Sequence, residues 1–238
     1  MNKKDKKYNL HFRRFEFKYI LPTALADSLI PTVTKYMKLD THINSKGFYE
    51  VNSLYYDSPF LYCYNQKLDG VYFRKKYRIR SYPLNGQSFF EIKRKVGDIV
   101  IKDRVSLQNY DISDKESYSE ENILPQITGQ LKGELVKDYH HLNLKPLIII
   151  VYKRRPYFSK FTNNLRLTFD YDLKANLIKD LDSKSNNIHF VDNHFTVLEI
   201  KTNSTIPAWL GYIIKRYNLE RNSFSKYANS VTRLLINN

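Results

Sequence analysis

The sequence has almost no cysteine and no long apolar run. Cys63 is its only cysteine, which excludes an intramolecular disulfide and a cysteine-based zinc site. The longest aliphatic stretch, residues 147–151, is far too short to cross a bilayer and predicts a buried strand. Residues 1–8 form a Lys-rich polar stretch with no apolar run behind it, unlike a signal peptide. These absences predict a soluble, cytoplasmic protein.

Acidic residues are scarce compared with basic ones. The chain has 39 Lys and Arg against 24 Asp and Glu, a formal net charge of +15, which indicates an acidic partner such as nucleic acid, anionic lipid or polyphosphate. A hydrophobic content of 42% is enough for a core, and 20 Tyr with 14 Phe favour strands. No linker or repeat divides the sequence, so we expect one domain over residues 1–238 with a flexible basic tail at residues 1–10.

Short segments that alternate an apolar residue with a charged one recur along the chain. Because successive side chains of a strand point to opposite faces, each segment places its charges on one face. Turn signals such as Asn85-Gly86 and Gly97-Asp98 predict hairpin connections and therefore an antiparallel sheet. The seven segments lie at residues 14–18, 78–80, 91–95, 102–104, 152–154, 166–170 and 199–201.

The charged face of such a sheet can point either to solvent or into a barrel lumen. In an ordinary sheet it meets solvent while the apolar face forms the core. In a closed barrel the charges line the lumen, and amphipathic helices cover the apolar exterior. Helices are predicted at about residues 22–38 (kinked or split at Pro31), 125–140, 207–217 and 224–235. The number of such strands favours the barrel, but a cationic lumen is costly unless a polyanion occupies it.

Several motifs together resemble one family in their order and spacing. They are Glu16-Phe17-Lys18-Tyr19, Arg78-Ile79-Arg80 followed by Glu91-Ile92-Lys93, Tyr152-Lys153-Arg154, and Leu198-Glu199-Ile200-Lys201 with Phe224-Ser225-Lys226-Tyr227. These residues resemble the VTC domain, the polyphosphate polymerase branch of the CYTH-like triphosphate tunnel metalloenzymes. The resemblance extends from about Phe12 to Leu235.

The resemblance implies an α+β fold, an eight-stranded antiparallel tunnel β-barrel with a basic lumen and helices packed on the outside. It implies transfer of the γ-phosphate of ATP onto inorganic polyphosphate or pyrophosphate, with Mn²⁺ or Mg²⁺. Nucleic acid is not an expected partner, whereas a membrane protein that receives the product is compatible. The implied catalytic residues are Lys18, Arg78, Arg80, Lys93, Arg154, Glu199 and Lys226, with Glu199 as metal ligand. The implied phosphate- or substrate-binding residues are Lys102, Arg104, Tyr152, Arg166, Lys201 and Ser225.

One departure from the superfamily pattern bears on the reaction. Tunnel enzymes that hydrolyse triphosphates usually begin with Glu-x-Glu-x-Lys, but Arg14 occupies the first position here. The loss of one carboxylate weakens the case for a water nucleophile and favours transfer to phosphate. A tunnel triphosphatase that hydrolyses inorganic triphosphate or nucleotides remains an alternative. So does a non-catalytic module that binds polyphosphate or RNA, although the interleaved carboxylates would repel a nucleic-acid backbone unless a metal were present.

Five further sites allow more than one interpretation. Asp57 precedes Ser-Pro, which favours a helix cap over a metal ligand. Asp170 is either a second carboxylate in the tunnel or the partner of an arginine there, and Glu91 is either functional or serves only to orient Lys93. Tyr152 either stacks on a nucleobase or fills the barrel wall. The adjacent His140-His141 pair points in different directions on a helix, which favours a surface role over metal binding.

Overall fold

The computed structural model describes residues 12–112, 114–178, 189–192 and 194–236. For residues 12–14, 130 and 189–192 only the backbone is considered. The tail predicted at residues 1–10 and the polar loop predicted around residues 183–187 lie outside the described residues.

Eight strands close into a barrel. Every hydrogen-bonded pair is antiparallel. The order β7-β3-β4-β5-β6-β1-β10-β8 returns to β7 through the β7–β8 pairing, which confirms the predicted eight-stranded barrel. Two short strands extend the sheet, β2 beside β7 and β9 beside β8. The strands in the described residues are β1 (Phe12–Pro22), β2 (Met37–Leu39), β3 (Tyr49–Asp57), β4 (Phe73–Tyr82), β5 (Gln87–Val96), β6 (Ile99–Leu107), β7 (Lys145–Ser159), β8 (Leu165–Leu177), β9 (His189–Asp192) and β10 (Phe195–Thr202).

Helices cover the apolar exterior of this barrel. In α1 and α5, for example, Leu29, Val33 and Leu210 pack in one cluster with Leu167 of β8 and Ile200 of β10. No helix in the described ranges is long and apolar enough to span a membrane. The α-helices described are α1 (Thr23–Tyr36), α2 (Tyr62–Leu68), α3 (Glu120–Ile123), α4 (Gly129–Leu142), α5 (Ala208–Arg216) and α6 (Lys226–Val231), and α6 continues into a π-helical segment, Thr232–Ile236.

Of the kink or split predicted at Pro31, the split does not occur. Helix α1 is continuous from Thr23 to Tyr36 with Pro31 inside it. A proline there removes one backbone hydrogen bond, but Leu29 and Val33 on either side are buried against the barrel and hold the helix in place. Packing of the apolar face therefore outweighs the local preference.

The charged faces of the strands point into the lumen. Lys93 of β5 contacts Glu16 of β1 although β6 lies between these strands. Arg80 of β4 likewise contacts Tyr152 of β7 across the intervening β3. Side chains on non-adjacent strands can meet in this way only across the interior. On the opposite face of β4, Tyr77 and Ile79 belong to the apolar layer under the helices and are buried.

Helix α6 is the exception among the helices, because it reaches the lumen. Lys226 at its first turn contacts Asp170 and Glu199 on the inner face of the barrel. Tyr227 stacks on Tyr55, with 5.1 Å between ring centroids, and its hydroxyl donates a hydrogen bond to Asp57. Helix α6 therefore lies across the barrel end at which β3 finishes and β4 begins.

Asp57 joins α2 and α6 to the barrel. Its side chain is 1% exposed, and its carboxylate accepts hydrogen bonds from the backbone N–H groups of Ser58, Cys63 and Tyr64 at 2.7, 2.8 and 3.0 Å. The hydroxyl of Tyr227 donates to the same carboxylate. These contacts confirm the predicted helix-capping role and extend it to the C-terminal helix.

Replacement of Asp57 by Ala should lower the free energy of unfolding by roughly 3 kcal/mol. Several buried donors lose their acceptor at once, and each unsatisfied donor costs about 1–3 kcal/mol. Tyr227→Phe, which removes one hydroxyl from the same network, should cost only about 1 kcal/mol. Urea denaturation measures both variants. Equal losses in the two would contradict the anchoring role assigned to Asp57.

Candidate active site

One cluster of lumen charges lies where β7, β8, β10 and α6 come together. Arg154 forms a bidentate pair with Asp170, with both nitrogen–oxygen distances at 2.6 Å. Lys226 Nζ lies 2.6 Å from Asp170 Oδ2 and 3.1 Å from Glu199 Oε1. Lys201 Nζ lies 2.9 Å from Glu199 Oε2. Lys18 Nζ lies 3.8 Å from Glu199 Oε1. In this arrangement, the Glu199 cluster, four cations hold two carboxylates.

A second cluster occupies β4, β5 and β6 around Glu91, which is fully buried. Arg78 donates to Glu91 Oε2 through Nε at 2.8 Å and through Nη2 at 2.6 Å. Lys102 Nζ lies 2.9 Å from Glu91 Oε1. The remaining Nη1 of Arg78 donates to the hydroxyl of Tyr55 at 2.9 Å. Both oxygens of Glu91 are therefore engaged by cations.

Three lysines lie side by side across the same strands. Lys76, Lys93 and Lys102 are direct cross-strand partners on β4, β5 and β6, an arrangement in which like charges repel. Lys93 pairs with Glu16 at 2.7 Å. Lys76 donates to Ser225 Oγ at 2.6 Å and, among the described residues, has no carboxylate within ion-pair distance. This lysine row is therefore under-compensated by the protein's own charges.

Three arginines of the lumen have a buried donor without an acceptor. The Nε groups of Arg80, Arg104 and Arg166 find no hydrogen-bond partner in the described part of the chain. Arg104 lies over the ring of Phe89 at 4.4 Å, and Arg166 over that of Phe158 at 4.6 Å. A buried donor left unsatisfied costs about 1–3 kcal/mol. The described residues supply no acceptor for these three donors.

Burial and neighbouring charges move the pKa values of the lysines in opposite directions. Burial lowers the pKa of Lys201 to about 7 and that of Lys18 to about 8, although Glu199 opposes the shift in both. Burial also acts to lower the pKa of Lys226, but Asp170 and Glu199 outweigh it and raise that pKa above its usual value. At neutral pH Lys201 is therefore partly uncharged until an anion approaches it.

Carboxylates that could bind a metal ion are few. No group of three or more His, Cys, Asp or Glu side chains suited to a metal occurs among the residues described. Glu199 and Asp170 share the partners Lys226 and Arg154 and offer hard oxygen ligands. Mg²⁺ commonly binds through one or two carboxylates together with phosphate oxygens and water. The pair fits a divalent ion that arrives with a phosphate chain.

The site residues predicted from the sequence converge in the structure. Each lies on the inner face of a barrel strand or at the start of α6. Ser225 caps α6, accepting a hydrogen bond from the backbone N–H of Ala228 at 3.2 Å. The residues placed in this way are Lys18, Arg78, Arg80, Lys93, Lys102, Arg104, Tyr152, Arg154, Arg166, Glu199, Lys201, Ser225 and Lys226.

Two expectations about carboxylates have clear outcomes. The expectation that Glu91 serves only to orient Lys93 is wrong, because Glu91 pairs with Arg78 and Lys102. Arg78 is the direct cross-strand neighbour of Glu91 on β4, and Lys102 reaches Glu91 diagonally from β6, where the direct partner is Arg104. Of the two interpretations of Asp170, the pairing with an arginine is confirmed by its bidentate contact with Arg154.

Tyr152 and His140 are placed as their structural interpretations predict: Tyr152 in the barrel wall and His140 on the surface. Tyr152 is 2% exposed, and Arg154 and Lys226 lie over its ring at 5.3 and 4.7 Å. Tyr152 therefore fills the barrel wall, and its hydroxyl accepts a hydrogen bond from Arg80 at 3.2 Å. His140 lies on the surface with Nε2 3.5 Å from Glu120 Oε1.

Sequence inspection missed Lys76 as a lumen residue. The signal was present, because Arg74, Lys76, Arg78 and Arg80 are alternate residues of one strand, but only the last two had been singled out. The role of Glu16 as the partner of Lys93 had no such signal. That contact joins β1 to β5, which are distant in sequence and not adjacent in the barrel.

Comparisons with known proteins agree with this architecture. The VTC domain family matches residues 13–235. A candidate adenylate cyclase from Bacillus halodurans superposes with a TM-score of 0.57 at 14% identity, over 93% of this chain and 97% of that one. A candidate adenylyl cyclase from Hippeastrum, whose dominant activity is that of a triphosphatase, superposes with a TM-score of 0.52 at 14% identity, over 92% and 95% of the two chains. A search of curated proteins finds no match.

The pKa of Lys201 predicts a pH dependence of anion binding. Lys201 loses its charge as the pH rises through about 7, so the affinity for tripolyphosphate should fall by up to tenfold per pH unit above that value. Lys201→Arg stays charged and should show a shallower decline. Titration of the ligand itself is common to both proteins, so the ratio of their dissociation constants isolates Lys201. A constant ratio from pH 6 to pH 8.5 would contradict the assignment.

Lys76→Met should raise stability and weaken anion binding together. Burial and the neighbouring Lys18 and Lys93 hold the pKa of Lys76 well below its usual value. Removal of this poorly compensated amine should therefore raise the melting temperature by about 2–4 °C in the absence of ligand. The same change should weaken tripolyphosphate binding about tenfold. Lys132→Met, at an exposed position of α4, is the matched control and should change neither quantity appreciably. A purely structural role for Lys76 would instead give a lower melting temperature.

Proposed function

Since this chain belongs to the VTC domain family, we propose that it is a phosphoryl-transfer enzyme that extends inorganic polyphosphate with the γ-phosphate of ATP. The observation that supports this proposal most directly is the charge balance of the lumen. Its cations outnumber its carboxylates, and Arg80, Arg104 and Arg166 each retain a buried N–H without an acceptor in the described residues. A lumen of this composition favours a ligand with many phosphate oxygens.

The proposed reaction needs little from a general base. A terminal oxygen of the polyphosphate attacks the γ-phosphorus of ATP, the bond from that phosphorus to the β–γ bridging oxygen breaks, and ADP leaves with the bond's electron pair. The attacking phosphate oxygen is already ionised, so no proton has to be removed. Phosphoryl transfer has a loose transition state whose charge is spread over oxygens. Catalysis then depends on positioning and on neutralisation of charge, which lysine and arginine supply.

The Glu199 cluster is the proposed place of reaction. Lys18, Lys201 and Lys226 would neutralise the transferred phosphate, and Arg154 would hold Asp170 in place while presenting its guanidinium to the lumen. Glu199 with Asp170 would hold a Mn²⁺ or Mg²⁺ ion, which when bound would neutralise further charge on the triphosphate. Arg80, Arg104 and Arg166 would bind the polyphosphate beyond the reacting end.

Two alternatives remain from other reaction or function classes. Triphosphate hydrolysis is favoured by the structural similarity to the Hippeastrum protein with triphosphatase activity. Against it, Arg14 occupies the position of the first carboxylate in the Glu-x-Glu-x-Lys motif of tunnel hydrolases. A non-catalytic module would bind polyphosphate without turnover.

Incubation with ATP, Mn²⁺ and a pyrophosphate primer should yield polyphosphate chains and ADP in equal phosphate equivalents. Gel electrophoresis of the polymer and a phosphate assay measure the two outcomes. Free orthophosphate without polymer would instead establish a triphosphatase. Binding of polyphosphate without either product would establish the module.

Glu199→Gln should reduce turnover by roughly 100-fold or more, because a charge that orients Lys201 and Lys226 and holds the metal is lost. Its affinity for tripolyphosphate without metal should stay equal or rise, which also shows that the variant is folded. Glu50→Gln, at an exposed position of β3, is the matched control and should keep full activity.

A further inference from the structure

The cations of β4 continue beyond the lumen toward the barrel end that carries α6. Arg80, Arg78, Lys76 and Arg74 follow one another at every second residue of this strand, so all four occupy the same face. At about 3.3 Å per residue, the distance from Arg80 to Arg74 is about 20 Å. These four residues form the β4 stripe. A triphosphate is shorter than this stripe, whereas a polyphosphate chain can extend along all of it.

Further cations gather around the outer end of the stripe. Arg74 is the cross-strand partner of Lys95 on β5. Lys67 of α2 reaches the same region, where its Nζ lies 3.4 Å from Ser223 Oγ, just before α6. Burial and the nearby Arg74 lower the pKa of both Lys67 and Lys95. Within the described residues, neither Lys67 nor Arg74 has a carboxylate at ion-pair distance, while Lys95 lies 4.0 Å from Asp98.

The barrel wall next to this stripe is incomplete as a sheet. Strand β1 pairs with β6 only over Phe12–Phe15, opposite residues 99–102. Beyond that point the partner of β1 is the segment before α6, through the Tyr19–Arg221 bridge and a 2.8 Å hydrogen bond from the N–H of Asn222 to the carbonyl of Lys18. Lys93 and Lys102 in the adjacent lysine row keep 26% and 24% of their side chains exposed. Solvent therefore reaches the lumen cations.

We propose that Lys67, Arg74 and Lys95 form an outer track that binds the distal part of a long polyphosphate chain while the lumen binds its reacting end. This inference rests on the proposed function, which it deepens by assigning a preference for long chains to residues outside the lumen. Polyphosphate fits better than nucleic acid as the occupant because the track continues without interruption into the lysine row at Lys76 and Lys93.

The expected signature is a dependence on chain length. Arg74→Gln combined with Lys67→Gln should weaken the binding of long-chain polyphosphate about tenfold and leave tripolyphosphate binding unchanged. The slope of log affinity against log salt should fall by about two for the long chain, one for each cation removed. Titrations in the absence of ATP and metal measure both ligands.

The control variant removes the same charge elsewhere. Lys132→Gln combined with Lys137→Gln changes two exposed lysines of α4 and should leave both affinities unaltered. An equal loss in this control would show general electrostatics and overturn the track. Equal weakening of both ligands, or of neither, by the Arg74 and Lys67 changes would overturn it as well. Loss of single-stranded RNA binding alone would assign the surface to nucleic acid and would likewise overturn it.

The same titrations separate this inference from the proposed function. Chain-length-dependent binding that requires Arg74 and Lys67, in a protein that forms no polymer from ATP, would support the track and contradict the polymerase. Polymer formation by a protein whose binding is insensitive to chain length would contradict only the track.

Discussion

Repulsion among cations enclosed in one narrow lumen is the constraint on which the rest of this structure depends. Arginine and lysine side chains from seven barrel strands and α6 point to a shared interior, where burial removes much of the water that would screen them. The protein's carboxylates compensate only part of this charge. Asp170 and Glu199 compensate one cluster, Glu91 a second, and Glu16 pairs with Lys93. Repulsion among the remaining positive charges destabilises the folded protein, and a bound polyanion would reduce this destabilisation.

The ion pairs of the lumen also suggest how binding and chemistry are connected. Each carboxylate is held by cations that a phosphate chain would attract more strongly, because phosphate carries several charged oxygens. Entry of the chain would therefore exchange protein carboxylates for phosphate oxygens around Lys18, Lys201 and Lys226. The same exchange would free Glu199 and Asp170 for a divalent ion. Restored protonation of Lys201 would accompany it, since the pKa of about 7 belongs to the lumen without a ligand.

The candidate site depends on the position of the C-terminal helix α6. Lys226 reaches Asp170 and Glu199 only because α6 crosses the end of the barrel, and α6 is held there by the contact of Tyr227 with Asp57. Asp57 also accepts the first N–H groups of α2, and α2 carries Lys67. One buried carboxylate thus positions both a residue of the lumen and a residue of the proposed outer track. Disturbance of that carboxylate should affect stability and phosphate binding together.

Local sequence patterns determined the eight barrel strands, their antiparallel connections and which side chains share a face of each strand. They did so because the period of two in strands such as β4 and β5 is a property of neighbouring residues. The motif resemblance placed the lumen residues from Lys18 to Lys226. Tertiary structure alone decided which charges meet: Glu91 binds Arg78 and Lys102, Glu16 binds Lys93, and Lys76 is left without a carboxylate among the described residues. Barrel closure and register set these contacts, because they bring together strands that are far apart in sequence and no local pattern records the distance between them. Packing likewise keeps α1 continuous through Pro31, because burial of its apolar face stabilises the helix by more than the loss of one backbone hydrogen bond destabilises it.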